Sequence, residues 1–182
     1  MMLENLSKHF GKIAIGAALL AASVYLAMIS VTLAHLEFVS GQTPFDMRPF
    51  GYAPADAAEL LGGLGKDGRK YYLTRQIPLD TLYPALLALT LSSTICWFGR
   101  RMPNSGLVRL GVTLAVGSAL FDYLENLGII AMIWSWPDVS GPLVSAASFA
   151  TIAKSVMTTL AVMLVFATAI AWARLPKAAF RI

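Results

Sequence analysis

Four stretches of this chain are too long and too apolar to be the core segments of a water-soluble fold. A helix needs about 20 apolar residues to cross a hydrocarbon layer of about 30 Å. Ile13–Leu36, Leu79–Phe98, Leu110–Trp136 and Leu143–Ala173 each meet that requirement. In hydrocarbon every backbone N–H and C=O must be satisfied within the protein, which leaves helices as the natural form for such segments. The rest of the composition agrees. Of 182 residues, 57% are hydrophobic and only 13% are charged, against about 25% charged in ordinary soluble chains. The expected fold is therefore an all-α integral membrane protein. It is a four-transmembrane-helix bundle forming one domain over residues 1–182, with a short amphipathic helix in the first, outer loop (37–77). The first apolar run exceeds the roughly 7–15 residues of a signal-peptide core, so it reads as a retained span. The fourth is longer than the bilayer requires and must tilt or protrude.

The ends of the spans carry interfacial residues. Trp97 and Trp172 close the second and fourth spans, and Trp134 and Trp136 close the third, where amphipathic rings are favoured. Orientation follows from the short basic flanks. Lys8 and Lys12 precede the first span, Arg100, Arg101 and Arg109 surround the second connection, and Arg174, Lys177 and Arg181 follow the fourth span. The connection Pro137–Pro142 has no basic residue. The first connection, Glu37–Ile77, carries five basic residues and five acidic ones, which weakens the asymmetry without reversing it. Both termini are expected in the cytoplasm, in a multi-pass protein of the cell (inner) membrane. The formal net charge of +4 thus belongs to membrane flanks, and no nucleic acid partner is implied.

Within the first connection, Pro54 suits a first helical turn. Ala57, Leu60, Leu61 and Leu64 recur at helical spacing, and Gly65 is a natural stop. Phe38, Phe45, Phe50, Tyr52, Tyr71 and Tyr72 suit a segment lying on the membrane face.

Few motifs of known chemistry are present. Gly63–Gly68 matches G-x-G-x-x-G, but no strand–helix unit surrounds it, so it reads as a glycine-rich turn. One cysteine, Cys96, and two histidines, His9 and His35, supply neither a redox pair nor a metal cluster, and no metal or cofactor is expected. The informative pattern is polar and lies within the spans. Asp122, Glu125 and Asn126 stand at i, i+3 and i+4 and share one helix face, which continues through Ser118, Ala115 and Gly111. In the fourth span Ser148, Thr151, Lys154, Ser155 and Thr158 form a matching stripe. Glu125 and Lys154 lie about 15 Å of helical rise from the outer ends of their spans, so antiparallel neighbours would bring them face to face.

Asp122, Glu125, Asn126 and Lys154 are thus the primary intramembrane ion-pair or ligand site. Tyr25, Asp80, Tyr83, Thr151 and Ser155 are secondary members, Asp80 also fitting a helix cap. Ionisable residues inside a membrane mark functional sites by default, and the competing reading is an ion pair that fixes helix register. Two carboxylates face one lysine, which leaves a spare titratable group. Three functions compete. The first is a non-enzymatic small-molecule or lipid binder, or an accessory subunit of a larger membrane complex. The second is a proton- or ion-coupled transporter working as a homo-oligomer. The third is an intramembrane enzyme acting on a lipid or isoprenoid, which ranks last because no nucleophile is identifiable. The expected partners are membrane lipid and a lipid or small hydrophobic ligand.

Overall fold

The computed structural model describes residues 2–102 and 105–175. The tail residues Lys177 and Arg181 lie outside it, as does the side chain of Lys8. Every element among the described residues is helical apart from turns and bends. α1 (Met2–Ala27) continues through a π-helical turn (Met28–Thr32) into α2 (Leu33–Ser40), which ends at Gly41 in the left-handed region (φ 67). A 3-10 turn (Phe45–Met47) follows. α3 (Pro54–Tyr71) runs through a second π-helical turn (Tyr72–Gln76) into α4 (Ile77–Gly99). α5 (Gly106–Trp134) and α6 (Gly141–Arg174) complete the chain.

Four of the resulting helices are long and apolar enough to cross a membrane: His9–Ser40, Pro54–Gly99, Gly106–Trp134 and Gly141–Arg174. Their outward faces are apolar. Leu19, Leu20, Leu120, Leu127, Met163 and Phe166 are all exposed, whereas Thr32, Gln76, Asp80, Asp122, Glu125, Asn126 and Thr151 are buried. This inversion of the soluble pattern is stable only where the surroundings are themselves apolar. α5 packs along α6, α1 along α4, and α4 also meets α5 and α6.

The segment between the first two spans differs from a surface loop. Pro54 opens α3, and the Asp56 carboxylate accepts from the Ala53 backbone N–H at 2.7 Å. Gly65, the expected stop, is non-helical (φ 60, ψ −171), a conformation cheap only for glycine. The chain does not leave the helix there for long, and it resumes and runs unbroken into α4. Leu60, Leu61 and Leu64 are buried in the protein's main apolar cluster, together with Leu33, Leu36, Ile129 and Met132. They pack against residues at the adjoining ends of the long helices. The aromatic residues of this segment divide. Phe38 and Phe50 face outward, while Phe45, Tyr52 and Tyr72 turn inward, so they do not form one membrane-facing surface.

Candidate functional site

α5 and α6 bring the two polar stripes together. Gly128 makes this possible: a Cβ there would lie 2.6 Å from Ala147 Cβ, so only glycine lets the helices approach this closely. One turn below, Lys154 Nζ lies 2.9 Å from Asp122 Oδ1 and 2.5 Å from Glu125 Oε2. Thr151 donates to Glu125 Oε1 at 2.8 Å. Glu125 and Thr151 have no exposed surface. A lysine shared by two carboxylates, with a hydroxyl on a remaining oxygen, is the arrangement a buried charge needs. Farther along the same face, Ser118 and Thr158 share a hydroxyl contact of 2.5 Å. Ser155 does not join the cluster and donates to the Thr151 carbonyl of its own helix at 2.9 Å.

Asn126 faces α4 instead. Its Nδ2 donates to the backbone carbonyl of Asp80 at 3.0 Å. That carbonyl would normally accept from the N–H four residues on, but position 84 is proline and has none. Asn126 therefore satisfies the acceptor that Pro84 leaves open. Asp80 does not cap a helix, because the chain is already helical through the turn at Tyr72–Gln76 and no free helix terminus exists there.

The connection between the first two spans supplies the remainder of the site. Asp46, on the 3-10 turn, accepts from the Tyr72 hydroxyl and, at 3.4 Å, from Gln76 Nε2. Gln76 in turn accepts from Thr32 at 2.5 Å, joining the two π-helical turns. Gly51 has a positive φ of 83, and a Cβ there would meet Ser148 Oγ at 2.5 Å. This close approach lets the Tyr52 backbone N–H donate to Ser148 Oγ at 2.8 Å. Burial, and then the Glu125 carboxylate, push the Tyr52 hydroxyl up from its ordinary value, so it stays protonated, and its oxygen is buried with no hydrogen-bond partner.

Beside these groups lies a half-open cavity of about 320 Å³, with polar wall groups from Asp46, Asp80, Asp122, Lys154, Tyr25 and Tyr83. Met28, Ile29 and Leu33 line its α1–α2 side, and Met47 and Pro49 cover it from the connecting segment. Asp80 is buried, and its Oδ2 has no hydrogen-bond partner. Tyr25 and Tyr83 stack at 5.5 Å between ring centres. Asp122 and Glu125 contact the ammonium of Lys154, and the carboxyls of Asp80 and Asp46 line the same cavity as that ammonium.

Helix spacing and depth in the sequence bring Asp122, Glu125 and Lys154 together, with Thr151 on the same stripe. Tyr25, Asp80 and Tyr83 stand in the sequence as separate secondary members, and it is the structure that puts them on one cavity wall. Asp46, Tyr52, Tyr72, Gln76 and Thr32 are not evident from it. Their only signal is the incongruity of acidic and amide groups (Asp46, Gln76) among aromatic residues. Among the described residues, no group of three or more His, Cys, Asp or Glu side chains is placed to hold a metal ion. In comparisons with family models, curated proteins and solved structures, nothing matches this chain.

Proposed function

We propose that this chain is a membrane-embedded binding protein, a bundle of four transmembrane helices that holds a small molecule or lipid in its polar cavity. It crosses the bilayer four times, with both termini in the cytoplasm and the 37–77 segment on the outer face. The observation that carries this reading is the cavity itself. A space of about 320 Å³ walled by carboxyls, a lysine and two tyrosines is costly to maintain at membrane depth. A register-fixing ion pair needs only Lys154, Asp122 and Glu125. It needs neither Asp46 and Asp80 nor an open volume beside them.

The size and wall chemistry also support a ligand. Small-molecule sites occupy roughly 300–1,000 Å³ and combine apolar walls with a few placed polar groups. The surplus of carboxyls keeps a second reading open, a proton- or ion-coupled transporter working as an oligomer, in which the same groups carry the coupling ion.

Native mass spectrometry of protein extracted from its own membrane tests the proposal. The expected result is a stoichiometric bound small molecule or lipid that is lost from an Asp80→Asn, Asp122→Asn variant. A preparation that carries no small ligand and instead holds a stoichiometric protein partner would make the chain an accessory subunit and overturn the binding reading.

A further inference from the structure

Beside the polar cavity, between α1 and α4, runs a second and almost wholly apolar hollow. It is lined by Ala18, Ala21, Ala22, Leu87 and Thr90, and it shares Tyr25 and Tyr83 with the cavity. The two spaces are therefore neighbours across one tyrosine pair. The floor of the hollow is alanine, so small side chains leave an apolar furrow between the two helices. Both Ala22 and Tyr25 are exposed, which puts the furrow on the outer surface of the spans.

The direction of this pair of spaces matters. From Tyr25 to Ala18, and from Tyr83 to Thr90, the chain runs seven residues, about 10 Å of helical rise, away from the outer ends of the spans. The polar cavity lies nearer the outer face and the furrow descends from it towards the bilayer centre. A lipid of the outer leaflet has that polarity, with its head outward and its chain inward.

The wall chemistry selects the head. Asp80 is only 2% exposed, lines the cavity, and has one oxygen without a hydrogen-bond partner. Asp46, another carboxyl, lines the same cavity and acts on Asp80 electrostatically. Asp46 already takes donors from Tyr72 and Gln76, and Lys154 is committed to Asp122 and Glu125. What is lacking between Asp46 and Asp80 is a positively charged donor. An anionic head would meet three carboxyls, those of Asp46, Asp80 and Asp122, and a lysine already paired. A quaternary ammonium would bring charge but no N–H. A primary ammonium brings both, and the stacked pair Tyr25–Tyr83 offers ring faces of the kind that attract cations.

We infer that the ligand is a single-chain amphiphile with a primary ammonium head, the head seated between Asp46 and Asp80 and the chain lying in the α1–α4 furrow. This rests on the binding reading above and names the class of ligand for the same cavity.

The test uses the full chain in phosphatidylcholine nanodiscs and four probes: hexadecylamine, hexadecanol, palmitic acid and butylamine. Hexadecylamine should bind saturably at one per chain, at least tenfold more tightly than hexadecanol or palmitate. Butylamine, with the head but no chain, should compete at least tenfold more weakly. Asp80→Asn should weaken hexadecylamine binding at least tenfold. Ala22→Phe, which fills the furrow from its exposed side and leaves the carboxyls untouched, should weaken hexadecylamine while leaving butylamine unchanged, and it serves where the Asp80 variant fails to fold. Saturable binding of hexadecanol or palmitate with no preference for the amine would overturn the ligand class and leave the binding reading standing. Equal binding of hexadecylamine and butylamine would remove the furrow from the site. Absence of saturable binding by all four probes, together with a native preparation free of small ligands, would overturn both proposals, with the Asp46–Asp80 pair then satisfied by a proton alone.

Discussion

Lys154 Nζ lies 2.5 Å from Glu125 Oε2, on a glutamate with no exposed surface. The contact joins α5 to α6 at the level where the cavity begins, and it makes the stability of the helix pair depend on charge balance. Removing one partner of a buried pair costs about 3–5 kcal/mol, because the other is left uncompensated. Lys154→Met should therefore lower the detergent-solubilised melting temperature sharply. Lys154→Met combined with Glu125→Gln should recover part of the loss, with a coupling of about 0.5–3 kcal/mol. Strict additivity in thermal denaturation would show that the pair contributes no interaction of its own.

Asn126 and Pro84 should be coupled in the same sense. Asn126→Ala leaves the Asp80 carbonyl without a donor and should cost about 1–3 kcal/mol. In a Pro84→Ala background the helix supplies its own N–H at that point, and Asn126→Ala should then cost clearly less. Equal costs in both backgrounds, measured by unfolding in mixed micelles, would mean that Asn126 acts elsewhere.

Gly51 is held at φ 83 with its α-carbon against Ser148. Gly51→Ala combines backbone strain of about 1–3 kcal/mol with a collision on the hydroxyl that accepts from Tyr52. The variant should lose stability and release the 45–52 segment, seen as faster hydrogen exchange at Phe45–Tyr52. Wild-type exchange rates in that segment would contradict the packing described here.

Spin labels distinguish the buried face of α3 from its exposed one. A label at Leu61, which is buried, should be immobilised and should destabilise the protein, whereas one at Ala58, which is exposed, should move freely. Similar mobility at both positions would place α3 away from the ends of the spans.

Orientation is tested separately. In a Cys96→Ser background, cysteines at Ala58 and Ser140 should react with an impermeant maleimide applied from outside. Cysteines at Ser105 and Ala178 should react only after permeabilisation. The reverse pattern would invert the protein in the membrane.

The long apolar runs made the spanning helices legible, because length and the absence of charge are set by the thickness of the surrounding hydrocarbon and need no tertiary information. The meeting of Lys154 with Glu125 and Asp122 was legible for a related reason. A short connection makes α5 and α6 antiparallel neighbours, and equal depth then fixes which side chains meet. Asp46, Tyr72 and Gln76 were not legible in this way. Their approach depends on how the 37–77 segment folds back over the spans, and on the helix running through 72–76 without a stop. The leucines of α3 have the same spacing whether they meet lipid or protein. Periodicity identifies the apolar face but cannot identify its neighbour.

The π-helical turn at Tyr72–Gln76 has a consequence for how this site can change. Such a turn contains one residue more than the α-helical turn it replaces, and one residue is worth about 100° of rotation. The extra residue sets the phase between the stretch that carries Tyr72 and Gln76 and the stretch that carries Asp80. Positions 72, 76 and 80 all contribute to the cavity and its supports, so the turn acts as a vernier between two halves of one rod. Closing the turn into a regular α-helix without removing a residue would alter no group in the cavity wall, yet it would swing Asp80 by about a quarter of a revolution. The binding chemistry therefore depends on the backbone hydrogen-bond register of one turn as much as on the side chains that line the cavity.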